Sequence, residues 1–142
     1  MAGSKSDYLE NAVLNHFLKG TSTTSPTNVY LGILSAVSTG ADTQTEIAQS
    51  NYTATDGDGA VTGGNRPKIV FGTVSSGSVD GPTSNIEFEN SSGSSFTVVG
   101  FGIWDAATNG NLLYYGTISS KTIENGDTIR FEATDAISIT EN

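Results

Sequence analysis

From Val29 onward, apolar residues fall in short alternating runs broken by Gly, Asn, Asp and Ser, and no other feature restricts the fold as tightly. Alternation with a period of two describes a strand with one face buried. Residues 85–89 set Ile86 and Phe88 against Glu87 and Glu89, and residues 136–140 set Ile137 and Ile139 against Ser138 and Thr140. Residues 95–104, rich in β-branched and aromatic side chains, form the strongest strand of the chain. Further strands are expected at 68–73, 112–118, 122–123 and 128–133. Asn109-Gly110 and Asn125-Gly126 lie between apolar segments, the strongest short-range hairpin signal. About seven or eight strands at this spacing predict a sandwich or barrel. The expected fold is a mainly β, antiparallel β-sandwich or jelly-roll-like domain. Gly100 and Gly102 interrupt the strongest strand, which marks a bulge or a close backbone or aromatic approach. Trp104, Tyr114 and Tyr115 are the candidates to cover them.

One segment follows a helical period instead. Leu9, Ala12, Val13, His16 and Phe17 share one face of a helix predicted over 7–19. Asp7 with Glu10 makes an Asp variant of the capping box, with Ser6 as the alternative cap. Lys19 suits the negative end of the dipole, and Gly20 suits the left-handed position beyond it. Val29–Ala36 is apolar on both alternations, as a strand covered on both faces is. The helix is expected to cover one of them. Residues 38–68 read as a long loop excursion with one or two short strands near Ile47 and Tyr52. The expected organisation is a single domain over 1–142.

Composition narrows the function. The net charge is −9, and the six basic residues are scattered, so no phosphate-binding patch forms and no nucleic-acid partner is expected. No apolar run approaches the ~20 residues of a membrane span. The N-terminus shows no hydrophobic signal region, which points to synthesis in a cytoplasm. There is no cysteine, which removes disulfides and thiolate metal sites.

Catalytic constellations are weak. The single histidine, His16, sits on the helical stripe and reads as a partly buried packing residue; no nucleophile elbow accompanies it. Glu87 with Glu89 and Asp56 with Asp58 offer paired carboxylates, but the Glu pair opposes an apolar face as solvated residues do. Asp56-Gly57-Asp58-Gly59 lacks the third oxygen ligand and terminal Glu of a calcium loop and reads as an acidic turn. The expectation is a non-enzymatic protein with no cofactor and no metal site. Phe101, Trp104, Tyr114 and Tyr115 flank the first Asn-Gly turn. They read first as core, and second as a surface that grips a partner subunit or a sugar.

Three segments carry a family resemblance: Tyr8-Leu-Glu-Asn-Ala-Val-Leu-Asn, Val29-Tyr-Leu-Gly-Ile-Leu, and Phe101-Gly-Ile-Trp-Asp-Ala-Ala-Thr-Asn-Gly-Asn-Leu-Leu-Tyr-Tyr-Gly-Thr. Together with the closing Gly126-Asp-Thr-Ile-Arg-Phe and Ile137-Ser-Ile-Thr, the chain resembles a small bacteriophage structural protein family commonly labelled tail-fibre protein. The likeness leaves out about residues 38–68. It implies a virion protein on the particle surface: a tail-fibre-type subunit, or a capsid decoration or cement protein. Partners would be the major capsid protein or tail components, and a homotrimer is the implied assembly. A host-receptor or carbohydrate-binding module of the virion is the alternative.

Overall fold

The computed structural model describes residues 3–39, 43–134 and 136–141. In chain order the elements are β1 (Ser4–Lys5), α1 (Asp7–Lys19), β2 (Val29–Ala36) and β3 (Thr45–Glu46). A short 3-10 turn at Gln49–Asn51 leads to β4 (Tyr52–Asp56), β5 (Gly59–Ala60), β6 (Lys68–Ile69) and β7 (Ser78–Gly81). The chain continues with β8 (Ile86–Asn90), β9 (Phe96–Trp104), β10 (Leu112–Ile123), β11 (Thr128–Phe131) and β12 (Ile137–Thr140). The fold is mainly β and sandwich-like, with every paired strand antiparallel.

The larger sheet runs β1-β10-β9-β2-β3, with β6 also paired to β2. The second runs β11-β8-β4-β5, and β12 pairs with β7. The predicted alternation supplies the core between them. Leu31, Ile33, Phe101 and Ile103 face Tyr52, Ile86, Phe88, Ile129 and Phe131 in one cluster. Phe88 meets Tyr52 and Phe131 edge-to-face, at 4.9 and 5.9 Å between ring centroids, a geometry the ring quadrupoles favour.

The 38–68 excursion carries the short strands expected near Ile47 and Tyr52, and is tied into the sandwich more fully than expected. Residues 40–42 lie outside the described residues. Beyond them, β4 and β5 form a hairpin that joins the second sheet, and Tyr52 and Ala54 are buried. β2 is covered on both faces as predicted, but by other residues. α1 packs chiefly on β10 and β1, while Trp104 lies over Gly32 of β2.

The two Asn-Gly turns also part ways. Residues 105–111 close the β9–β10 hairpin, with Asn109 and Gly110 both left-handed (φ 53 and 76). A Cβ on Gly110 would lie 2.5 Å from Asp105 Oδ1, the carboxylate that accepts from the Asn111 amide at 2.7 Å. The second turn makes no hairpin. It carries the chain from the larger sheet to the second, because β10 pairs with β9 and β11 with β8. Asn90, only 1% exposed, fastens that corner. Its amide nitrogen donates to Ser94 O and Ile123 O at 2.7 and 2.8 Å, and its oxygen accepts from the amide and hydroxyl of Ser92. All four side-chain bonding positions of a buried amide are thereby used.

Candidate interaction surface

α1 is bolted down at its start and bare along its flank. Ser6, fully buried, is the N-cap, rather than Asp7. Its hydroxyl accepts from Leu9 N–H and donates to Leu112 O, while its own N–H bonds Leu113 O at 2.8 Å. At the other end Gly20 is left-handed (φ 67) and its N–H bonds Asn15 O. Between these ends no helical residue is buried. Phe17 is 75% exposed and Leu18 77%, with Leu14, Val13 and Tyr8 also open. The predicted stripe therefore exists but is uncovered for much of its width. Exposed large apolar residues gathered on one element mark an interaction surface. His16 is exposed too; its Nδ1 lies 3.2 Å from Thr21 O and its ring meets Phe17 edge-on at 4.8 Å. It closes the helix C-terminus instead of packing inside. A groove of about 300 Å³ runs between the helix and residues 23–26, floored by Leu113.

The aromatic residues near the first turn lie on different sides of the larger sheet. Phe101 is fully buried between the sheets. Trp104 and Tyr115 are buried on the opposite face with Leu34 and Leu112. Tyr114 is half-buried, and its hydroxyl donates to Glu141 at 2.8 Å. All four side chains are thus engaged within the chain, three of them buried. Trp104 covers Gly102 and Gly32, where a Cβ would come within 2.5 and 2.6 Å of its ring, but not Gly100, where a Cβ would meet Gly116 O and Val37 at 2.5 Å.

On that ring lies a residue that sequence reasoning missed. Arg66, 4% exposed, stacks its guanidinium 4.1 Å from the Trp104 ring centroid. Nε and Nη2 donate to the two carboxylate oxygens of Glu46 at 2.7 Å each, and Nη1 donates to Ala106 O and Asn109 O at 2.8 Å. This bidentate fork joins β3 to the β9–β10 loop. A lone Arg in a polar stretch gives no local sign of such a role.

Asp56, Asp58 and Glu87 of the predicted carboxylate pairs are engaged in structure, and Glu89 is exposed. Asp56 accepts from the amides of Asp58 and Lys68 at 2.9 and 2.8 Å, and Asp58 pairs with the Lys68 ammonium. Glu87 pairs with Arg130 on the neighbouring strand. Among the described residues no group of three or more His, Cys, Asp or Glu converges as a metal site would. Nor is any helix among the described residues long and apolar enough to cross a membrane.

A family model described as podophage GP4 fiber I protein gp80 matches residues 4–140. The chain belongs to this family. No curated protein matches it. The match runs from β1 through α1 to β12, so the bare helix and the Trp104–Arg66 stack both lie within the region that defines this fibre protein family. Membership supports a structural role in the phage virion and contacts with other virion proteins.

In this fibre protein the two ends of the chain are tied together. Gly3 N–H bonds Ser138 O at 3.2 Å, and Lys5 pairs with Glu141, which also accepts from Tyr114. The Lys5 hydrogen bond holds the Glu141 carboxyl below its ordinary value of 4.5. Its stabilising share is therefore present above that value and is lost as pH falls through the lowered one. The pair is partly exposed, so the share is small. Acidification through that lowered value is expected to reduce the protection of amides in β1 and β12, relative to their intrinsic exchange rates, before the sandwich opens. In Lys5→Met that pH step is expected to shrink; an unchanged step would assign it to another group.

Proposed function

We propose that the protein is a tail-fibre-type subunit on the outside of a podophage particle that works by being bound, without catalysis, and that copies associate through α1 as a homotrimer. The observation that carries this reading is the helix whose apolar flank is bare although both its ends are fastened. The family favours a fibre role over a head-lattice cement. Burying Leu14, Phe17 and Leu18 contributes roughly 1.5–3 kcal/mol each if fully covered. The surrounding helix and groove supply area toward the ~800 Å² per partner of a standard interface. A sugar-binding reading draws little support from the loop aromatics, because Phe101, Trp104 and Tyr115 are buried.

Sedimentation equilibrium tests the assembly. The wild-type protein is expected at three times the chain mass. Phe17→Ser with Leu18→Ser is expected to give folded monomer, since neither side chain supports the core. A wild-type protein that stays monomeric at high micromolar concentration would end the proposal. Antibody labelling of particles locates the chain: gold at the tail supports a fibre subunit, gold over the head lattice supports cement, and none on particles overturns both.

A further inference from the structure

We infer that the open seam between β10 and β11 receives an extended segment of a different virion protein, which adds to the sandwich as a strand. This rests on the virion role proposed above but concerns another surface.

The chain crosses between sheets at the turn closed by Asp127 N–H on Glu124 O, at 2.9 Å. β10 and β11 diverge from that corner. On its outer side β10 is paired by β1 only at Tyr114 and Tyr115. β11 is paired by β8 alone. Among the described strands, none pairs with the outer edge of β10 over 116–123 or with that of β11. A groove of about 470 Å³ opens between them, lined by Ile118, Ile129 and Phe131 alongside the charged Lys121, Arg130 and Glu132. Two unpaired edges beside one groove of mixed apolar and charged lining are a template for strand addition, in which backbone bonds give affinity and side-chain pockets give specificity.

The register of β10 fits such a use. Its ladder with β9 slips between Thr117 and Lys121, which releases 118–120 from regular pairing. Bulges of this kind re-aim side chains at sheet edges. Edges left open are usually guarded by charge. Here Arg130 is tied to Glu87 and Glu132, while Lys121 forms no salt bridge among the described residues. The fitting partner is an extended stretch of alternating apolar residues with a carboxylate placed to meet Lys121. A second copy is the poorer occupant, because the same edge paired with itself brings Lys121 toward another Lys121 instead of a carboxylate.

The chain has no cysteine, so Ser119→Cys provides a single labelling site beside the groove. Particles carrying this variant are treated with a maleimide before and after dissociation, with Thr53→Cys on the exposed face of β4 as the access control. Labelling at 119 is expected to be slower in the particle by about tenfold or more, with amides of 117–122 protected from exchange in parallel. Carbodiimide coupling of Lys121 is expected to yield a product heavier than the chain by the mass of another virion protein. Equal labelling in both states, shielding without amide protection, or a product of twice the chain's mass would each overturn the inference. Particles lacking the protein altogether would instead overturn the virion role beneath it.

Discussion

Arg66→Met is expected to lower folding stability by about 3–5 kcal/mol, the range for removing one partner of a buried ion pair, and Tm by about 10 °C. The substitution leaves Glu46 facing an apolar side chain and deprives the carbonyls of Ala106 and Asn109 of their donor. Glu46 retains 19% side-chain exposure, so water recovers part of its solvation and the lower end of the range applies. Thermal unfolding followed by circular dichroism measures the loss. Arg66→Met combined with Glu46→Leu is expected to regain part of it, since an apolar pair does not carry the desolvation cost of an orphaned carboxylate. A single substitution costing under about 1 kcal/mol would mean that the fork is surface decoration.

Trp104→Ala is expected to cost about 3–5 kcal/mol, as for other buried Trp or Phe truncations. The ring fills the space above Gly32 and Gly102 and is the platform for Arg66. Gly102→Ala attacks the same contact from below. Its new methyl would stand 2.5 Å from Cζ3 and 2.6 Å from Cη2 of the ring, and backbone holds it there. Overpacking of that kind costs about 1–3 kcal/mol. The two changes are expected to be sub-additive, because the added methyl occupies part of the cavity that the missing ring leaves. Trp104 is the sole tryptophan, so urea titrations of these variants need circular dichroism instead of fluorescence. Strict additivity would show that ring and glycine act independently.

Much of this was legible in sequence. The alternation at Ile86 and Phe88 and at Ile137 and Ile139 named core residues correctly, because period-two patterning records burial directly. Gly102 announced the aromatic cover that Trp104 supplies, whereas a Cβ on Gly100 would meet the carbonyl of Gly116 and the side chain of Val37. What failed was long-range. Asn125-Gly126 signals a tight turn, but no local feature says whether the next strand returns to the same sheet. The helical stripe reports that one face is apolar, not what covers it. β7 was missed because Ser78–Gly81 holds one large apolar residue, Val79, and β1 because two residues carry no period. β4 was expected only as a short strand near Tyr52, and its place in the second sheet was not legible, because Ala54 is too small to mark an inward face among threonines, though burial leaves it 3% exposed. Arg66 was invisible for the same reason: its partners lie 20, 40 and 43 residues away in the chain.

The bond between Gly3 and Ser138 carries a topological consequence. It ties the β12–β7 pair to the segment that opens into β1 on the larger sheet. A contact between residues so far apart in sequence closes a loop of most of the chain, so β1 and β12 are expected to dock late in folding, after the β9–β10 hairpin has formed.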